Sequence, residues 1–277
     1  MQSSTGYIEV NSMCFAQEEN IMGKLENKVC IVTGASGGLG KQTAIRFAEE
    51  GAIVCICARN EQRLNETADI CREKGAEVFA MKADVSKFEE MKAFVDAVGE
   101  KYGRVDALCN NAATISAPHP FMEHTIEDLE EALHSGLYGT WHMMQLCFPL
   151  MKEHGGAILN YGSIGGVSGM EGFAAYAAEK EAIRGLSRVV AREWGQFNIR
   201  VNCICPNVAT DRFLAGIDQS PTEVAEYLKA SMSQNAMHRM GMAYDDATPA
   251  IVFLVSDDSK WVTGQTLHVE GGNWISA

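Results

Sequence analysis

The chain has 277 residues, of which 47% are apolar and 21% are charged, and its formal net charge is -13. Such an acidic chain disfavours binding to nucleic acid or to an anionic membrane, since both require clustered Lys and Arg. No apolar run approaches the roughly 18 residues that a membrane-spanning helix needs. The composition therefore predicts a soluble, globular protein that has neither nucleic acid nor membrane as a partner.

The first 23 residues differ from the rest of the chain. They contain no Lys or Arg and no uninterrupted apolar stretch, so they do not resemble a secretory signal. We expect residues 1–23 to form a disordered extension and residues 24–277 to form one domain.

The chain carries nine cysteines, which is an odd number. In a chain without a secretory signal this favours a reducing, cytoplasmic location. The pairs Cys55/Cys57 and Cys203/Cys205 lie in apolar, strand-like runs and have no second pair of Cys or His nearby. Small buried thiols are therefore favoured over a zinc site, and we predict no metal.

Short apolar runs alternate with helical patterns from residue 29 onwards. The predicted strands are residues 29–33, 53–57, 78–81, 107–109, 157–160, 200–204 and 266–269, and the first predicted helix covers about 39–50. The runs are apolar on both faces, as in a parallel sheet that helices cover on both sides. The pattern predicts a single-domain α/β fold of the Rossmann type, with a doubly wound parallel sheet.

Residues 207–246 interrupt this alternation. They are net acidic and carry several large apolar side chains, which are Phe213, Leu214, Met232, Met237, Met240 and Met242. A long insertion at the carboxyl edge of a sheet is more often a functional lid than a filler loop. We predict that this 207–246 segment covers the substrate.

A glycine-rich loop with the sequence TGASGGLG occupies residues 33–40, between the first strand and the first helix. Glycines allow a tight turn and close backbone approach, and a helix N-terminus offers free N–H groups to a pyrophosphate. The loop therefore predicts a dinucleotide site, although glycines also close ordinary strand-to-helix corners. The residues expected to contact the dinucleotide here are Gly34, Ser36, Gly37, Gly38, Leu39 and Gly40.

Tyr176 and Lys180 are spaced by one helical turn in the sequence YAAEK, with Ser163 upstream. On a helix, residues i and i+4 share a face, so the charge of Lys180 can favour the ionised form of the Tyr176 hydroxyl. A phenol with the ordinary pKa of roughly 10 is otherwise a poor acid-base group near neutrality. The pair alone occurs by chance in many helices, as two solvated side chains.

The combination is more specific than any of its parts. The TGASGGLG loop, the sequence NNAA at 110–113, Ser163, YAAEK at 176–180 and Pro206 resemble the short-chain dehydrogenase/reductase family of the classical type, in content, order and spacing. The resemblance runs from about residue 24 to 274. It implies that Tyr176 exchanges a proton with the substrate oxygen, that Lys180 assists it and holds the nicotinamide ribose, and that Ser163 hydrogen-bonds the substrate oxygen.

The resemblance also implies further cofactor contacts. Those expected beyond the glycine-rich loop are Arg59, Asp84, Val85, Asn111, Ala112, Tyr176, Lys180, Pro206, Val208 and Thr210. Ala58 supplies no carboxylate for the adenosine ribose, whereas Arg59 can accommodate a 2′-phosphate, so we expect NADP rather than NAD. Asp84 would lie at the adenine, but it is also a plausible helix cap.

The sequence departs from the family pattern at Gly136. The family usually has an asparagine there, which supports a water-linked proton relay to the lysine. His134, Ser135 or a water molecule could take its place, and the relay is left unassigned. A glycine inside a helix costs about 1 kcal/mol relative to alanine, so it indicates a packing or access reason.

These features predict an oxidoreductase that reversibly transfers a hydride between NADP(H) and a secondary alcohol or ketone. A bulky hydrophobic substrate such as a hydroxysteroid would suit the methionine-rich 207–246 segment. The alternative is a cofactor-binding regulator or scaffold with weak or no catalysis, which the absence of the relay asparagine would explain. The resemblance further implies a homo-oligomer, a tetramer or a dimer.

Overall fold

The computed structural model describes residues 23–115 and 117–275, and the predicted N-terminal extension lies almost wholly outside them. A parallel sheet of seven strands forms the centre of the fold, in the order β3-β2-β1-β4-β5-β6-β7. The strands are β1 (Val29–Thr33), β2 (Ile53–Ala58), β3 (Val78–Lys82), β4 (Ala107–Asn110), β5 (Gly156–Tyr161), β6 (Ile199–Pro206) and β7 (Thr266–Val269). The doubly wound parallel sheet predicted from the apolar runs is confirmed.

Helices connect the strands as crossovers. The α-helices are α1 (Gly38–Glu49), α2 (Glu61–Glu73), α3 (Phe88–Tyr102), α4 (Ile126–Ala132), α5 (Gly139–Cys147), α6 (Ile164–Ser168), α7 (Ala174–Trp194), α8 (Asp211–Asp218), α9 (Thr222–Met232) and α10 (Thr248–Val255). Two segments are π-helical, Leu133–Tyr138 and Ala243–Ala247, and short 3-10 turns cover Phe121–Glu123, Phe148–Leu150, Gly195–Phe197 and Asp257–Ser259.

The sheet separates two apolar cores, one on each face. Phe47 of α1 is fully buried in one core, and Phe94 of α3 is fully buried in the other. Every residue of β1 and β4 is buried, as expected for strands that helices cover on both sides. This arrangement explains why the strands read as continuous apolar runs rather than as alternating patterns.

The order of the strands reverses direction between β1 and β4, the two strands at which the chain crosses to the other half of the sheet. In an open parallel sheet, ligands bind outside the carboxyl ends of the strands at such a switch point. The 207–246 segment begins directly after β6 and contains α8 and α9. In the described residues, no helix is long and apolar enough to cross a membrane.

Candidate active site

A cleft of about 790 Å³ opens at the carboxyl ends of the strands. Most of the predicted site residues line it, namely Gly34, Ser36, Gly37, Gly38, Leu39, Arg59, Asp84, Val85, Asn111, Ala112, Tyr176, Lys180, Pro206 and Thr210. Three predicted residues do not line it, and these are Gly40, Ser163 and Val208. The fold therefore gathers residues from five strand ends and from α7 around one cavity.

The glycine-rich loop takes the tight path that its sequence predicts. Gly34 and Gly38 have φ values of +70° and +58°, in the left-handed region that favours glycine. Gly40 lacks space rather than rotational freedom, because a β-carbon there would overlap the amide nitrogen of Asn111. Gly40 thus keeps the first turn of α1 close to β4, although it does not itself line the cleft.

Asn111 and Thr33 fasten this loop to the sheet. The Nδ2 of Asn111 donates to the carbonyl oxygen of Thr33 at 2.9 Å, and the Oγ1 of Thr33 accepts from the backbone N–H groups of Asn111 and Ala112, at 3.1 Å each. The neighbouring Asn110 bridges β4 and β5 through Asn160 Oδ1 at 2.9 Å. The backbone of the loop is therefore held in place before any ligand binds.

One backbone N–H group of the glycine-rich loop already donates a hydrogen bond to a carboxylate. Asp211 Oδ1, at the start of α8, accepts from the Gly38 N–H at 2.8 Å, and Lys41 Nζ lies 4.0 Å from Asp211 Oδ2. The N-terminus of α1 attracts anions, so Asp211 lies where the negative charge of a dinucleotide would also be stabilised. The 207–246 segment thus contacts the glycine-rich loop directly.

Replacing Asp211 with Asn should tighten the binding of a dinucleotide by about threefold or more, since it removes a partly exposed negative charge near the pyrophosphate position. Fluorescence titration with the reduced cofactor at low salt measures this change. Asp218→Asn, at the other end of α8, is the matched control and should leave the affinity unchanged. Weaker binding by Asp211→Asn would contradict the expectation.

The adenosine end of the cleft carries two arginines. Arg59 was predicted, and Arg63 lies beside it on the first turn of α2, where its backbone N–H donates to the capping Asn60 Oδ1 at 2.9 Å. Both side chains are exposed and line the cleft. The sequence reasoning missed Arg63, although its place in the first turn of the helical pattern that follows Arg59 was the signal that could have found it.

Asp84 lines the cleft and orders a turn, but it does not cap a helix, because the N-cap of α3 is Lys87 and no side chain caps it. Its Oδ1 accepts from the backbone N–H of Ser86 at 3.0 Å and from the Ser86 hydroxyl at 2.8 Å. The backbone N–H of Asp84 in turn donates to Glu90 Oε2 at 2.9 Å. The prediction of a helix cap at Asp84 is therefore wrong, whereas the predicted contact with the adenine is compatible with its position, since Asp84 lines the cleft and orders the turn that leads into α3.

Tyr176 and Lys180 project from α7 into the cleft. Lys180 Nζ lies 5.4 Å from the centre of the Tyr176 ring, and the lysine side chain is buried. Ser163, at the end of β5, caps α6, because its Oγ accepts from the Gly165 N–H at 3.0 Å. A hydroxyl that accepts one hydrogen bond still has its own O–H to donate.

Glu179 is a site residue that the sequence reasoning missed. Its side chain is fully buried, and its Oε1 lies 3.0 Å from Lys180 Nζ. The carboxylate fills the space beside Gly136, where any β-carbon would overlap it. The presence of a glycine inside a helix at position 136 is therefore explained by packing against this carboxylate. Gly136 also lies in a π-helical segment, of the kind often found at functional sites.

The two substitutes considered for the missing asparagine have other partners. His134 is exposed, and its Nδ1 contacts the Glu130 carbonyl oxygen at 2.7 Å. The Ser135 hydroxyl accepts from the Thr114 N–H at 3.0 Å. In the described residues it is Glu179, rather than either of these, that lies against Gly136.

The buried pair has perturbed acidities. Burial raises the pKa of Glu179, and the nearby Lys180 charge offsets only part of this effect. Burial alone would lower the pKa of Lys180, but the Glu179 carboxylate, together with Tyr176 and Cys203 when they ionise, raises it above its ordinary value of 10.5. Lys180 is consequently held as an ammonium throughout the neutral range.

A group of potential metal ligands lies apart from these residues. His119, His124 and Asp128 approach one another, with His119 Nε2 3.5 Å from Asp128 Oδ2. Asp128 Oδ2 already accepts from the N–H of Thr125, as the cap of α4, and the two imidazole rings stack with their centres 3.9 Å apart. Helix capping and stacking account for this cluster, and we assign no metal to it.

Comparisons with known proteins identify the family. A family model described as enoyl-(acyl carrier protein) reductase matches residues 34–273. A 12alpha-hydroxysteroid dehydrogenase of Clostridium sp. is 36% identical over 91% of this chain and 98% of its own length. A 3beta-hydroxysteroid dehydrogenase of Mediterraneibacter gnavus is 32% identical over 91% and 96%. The L-sorbose reductase of Gluconobacter frateurii, solved with NADPH and L-sorbose, superposes with a TM-score of 0.86 at 29% identity, covering 92% of this chain and 99% of that one. The chain therefore belongs to the short-chain dehydrogenase/reductase family of oxidoreductases.

Proposed function

We propose that this protein reversibly transfers a hydride between NADP(H) and a secondary alcohol or its ketone, with Ser163, Tyr176 and Lys180 as the catalytic residues. The observation that carries the proposal is the buried ammonium of Lys180, 5.4 Å from the Tyr176 ring in the cleft at the strand ends. A cation in this position stabilises the phenolate that forms when a tyrosine gives up its proton.

Each residue has a distinct task in ketone reduction. When bound, NADP(H) would supply the hydride to the carbonyl carbon. Tyr176 donates its proton to the carbonyl oxygen, and Lys180 stabilises the tyrosinate that remains. Ser163 donates a hydrogen bond to the same oxygen while negative charge develops on it, which is typically worth a few kcal/mol in the transition state. In alcohol oxidation the proton moves in the opposite direction.

The described residues fit a dinucleotide. The positive-φ glycines bring the backbone of the loop close to the cleft, and the start of α1 offers N–H groups to a pyrophosphate. Arg59 and Arg63 supply two cations for a 2′-phosphate at the other end of the cleft. These cations and the NADPH bound by the L-sorbose reductase support NADP over NAD.

The names of two relatives support a hydroxysteroid or another bulky alicyclic alcohol as substrate. Met170 and Met237 are 47% and 61% exposed, so flexible apolar side chains are available near the 207–246 segment and the loop before α7. We propose that the 207–246 segment closes over the substrate. Its excess of Asp and Glu over Lys and Arg disfavours a polyanionic substrate.

A screen of substrates against both cofactors tests the proposal. Hydroxysteroids that differ in the oxidised position, simple secondary alcohols and the matching ketones are each assayed with NADP(H) and NAD(H) through the absorbance of the reduced cofactor. We expect turnover with NADP(H) and a bulky alcohol or ketone. Cofactor binding without turnover of any compound would instead favour the regulator or scaffold.

We further propose a homotetramer or dimer in the cytoplasm. Apolar side chains such as Trp261 and Ile275 are 97% and 82% exposed in the single chain, as at surfaces that subunits cover. Eight cysteines of the described residues are free and buried, which suits a reducing compartment. Light scattering of the purified chain measures the assembly.

A further inference from the structure

The buried carboxylate of Glu179 has one close charged partner. Its Oε1 lies 3.0 Å from Lys180 Nζ, and apart from this ion pair neither carboxylate oxygen has a hydrogen-bond partner among the described residues. A buried carboxylate without compensation is strongly destabilising. The ammonium of Lys180 therefore offsets the cost of burying Glu179.

The space that Glu179 occupies exists because residue 136 has no side chain. A β-carbon on Gly136 would overlap Oε1, Cδ and Cγ of Glu179. The side chain of Glu179 is fully buried where α7 packs against the π-helical segment Leu133–Tyr138. Gly136 and Glu179 are thus complementary in shape, although they lie on different helices.

The titratable groups that face Lys180 come from two elements of the fold. Glu179 and Tyr176 lie on α7 with it, and Cys203 reaches it from β6. Glu179 makes the largest contribution in favour of the ammonium and opposes the effect of burial. Without that carboxylate, burial, which favours the neutral amine, would lose the largest contribution that opposes it.

We propose that Glu179 is a positioning residue that holds the ammonium of Lys180 in place and in its charged form, in the space left by Gly136. It replaces, from the opposite helix, the support that a side chain at position 136 would otherwise provide. The proposal rests on the hydride-transfer function proposed above, because the orientation and charge of Lys180 matter through Tyr176 and the cofactor ribose.

A Glu179→Gln variant keeps the shape of the side chain and removes its charge. Lys180 then loses the partner that raises its pKa, so it should become neutral at a lower pH. We expect the alkaline limb of the pH profile for kcat/KM in alcohol oxidation to move down by about one pH unit or more. The affinity for the reduced cofactor, measured by fluorescence, should fall over the same range of pH.

Matched variants separate the charge from the packing. Glu193→Gln changes an exposed carboxylate on the same helix and should leave the profile unchanged. Gly136→Asp with Glu179→Ala returns a carboxylate from the opposite helix, whereas Gly136→Asn with Glu179→Ala returns only the volume. We expect the Asp pair to restore the alkaline limb and the Asn pair to leave it displaced.

Several outcomes would overturn the proposal. One is a wild-type alkaline limb in Glu179→Gln, and another is equal behaviour of the Asp and Asn pairs. The two pairs provide the same comparison if Glu179→Gln does not fold.

Since the cofactor titration needs no turnover, it tests the role of Glu179 even without a known substrate, and a chain that binds no cofactor refutes the proposal. Loss of activity in Tyr176→Phe with an unchanged Glu179→Gln profile refutes the role of Glu179 alone, whereas an active Tyr176→Phe refutes the proposed function.

Discussion

A Tyr176→Phe variant is expected to lose about three orders of magnitude in kcat while its affinity for the reduced cofactor stays within about twofold of wild type. General acid-base catalysis by a positioned side chain typically contributes 10²- to 10⁴-fold, and phenylalanine keeps the ring but has no proton to exchange. The side chain of Tyr176 is partly buried at the cleft, so the substitution removes one oxygen and little packing.

Single-turnover and steady-state rates with the substrate found by the screen measure this loss. Tyr102→Phe, at the end of α3 and outside the lining of the cleft, is the matched control and should turn over as wild type. A Tyr176→Phe enzyme with full turnover would show that the proton comes from elsewhere, and the assignment of the catalytic residues would fail.

Replacing both Arg59 and Arg63 with Ala is expected to lower kcat/KM for NADPH by about 10²-fold and that for NADH by less than about threefold. A hydrogen bond to a charged group contributes about 1.5–3 kcal/mol. Each arginine should contribute an amount at the low end of this range, because both side chains are exposed and solvent screens their charges. Only NADP carries the 2′-phosphate that these cations would contact, so the two cofactors should respond differently.

The same assay at increasing ionic strength should reduce the difference between the cofactors in wild type and not in the double variant. Arg72→Ala, an exposed arginine at the other end of α2, is the matched control. Equal losses with NADPH and NADH would contradict a role in selecting the 2′-phosphate, and a wild-type preference for NADH would refute the cofactor assignment.

Much of the fold could be predicted because the signal is local and repeated. Each predicted strand overlaps an observed one, and the chain order of the motifs determines which strand ends they follow. Strand ends are harder to predict, as with β2, which extends to Ala58, and β6, which reaches Pro206. Pairing with a neighbour, rather than the apolar run itself, decides where a strand stops, so such ends depend on the assembled sheet.

The predicted site differs from the observed cleft for a related reason. Gly40, Ser163 and Val208 match family positions, yet they do not line the cleft, because a motif defines a stretch of chain and not the direction of every side chain. Arg63 could have been suspected, since it lies in the first turn of the helix that follows Arg59. Glu179 could have been suspected, since it shares a helical face with Tyr176 at a spacing of three residues.

The sequence by itself determined the parallel sheet, the glycine-rich turn and the presence of a tyrosine and a lysine one helical turn apart, because each of these depends on residues close together in the chain. Only the tertiary structure decided what lies beside Lys180. Gly136 and Glu179 come from distant parts of the chain. Because Gly136 has no side chain, it leaves a space in one helix, and the buried carboxylate of Glu179 from the other helix fills that space. No spacing within either segment contains that information, since it arises when the two helices pack.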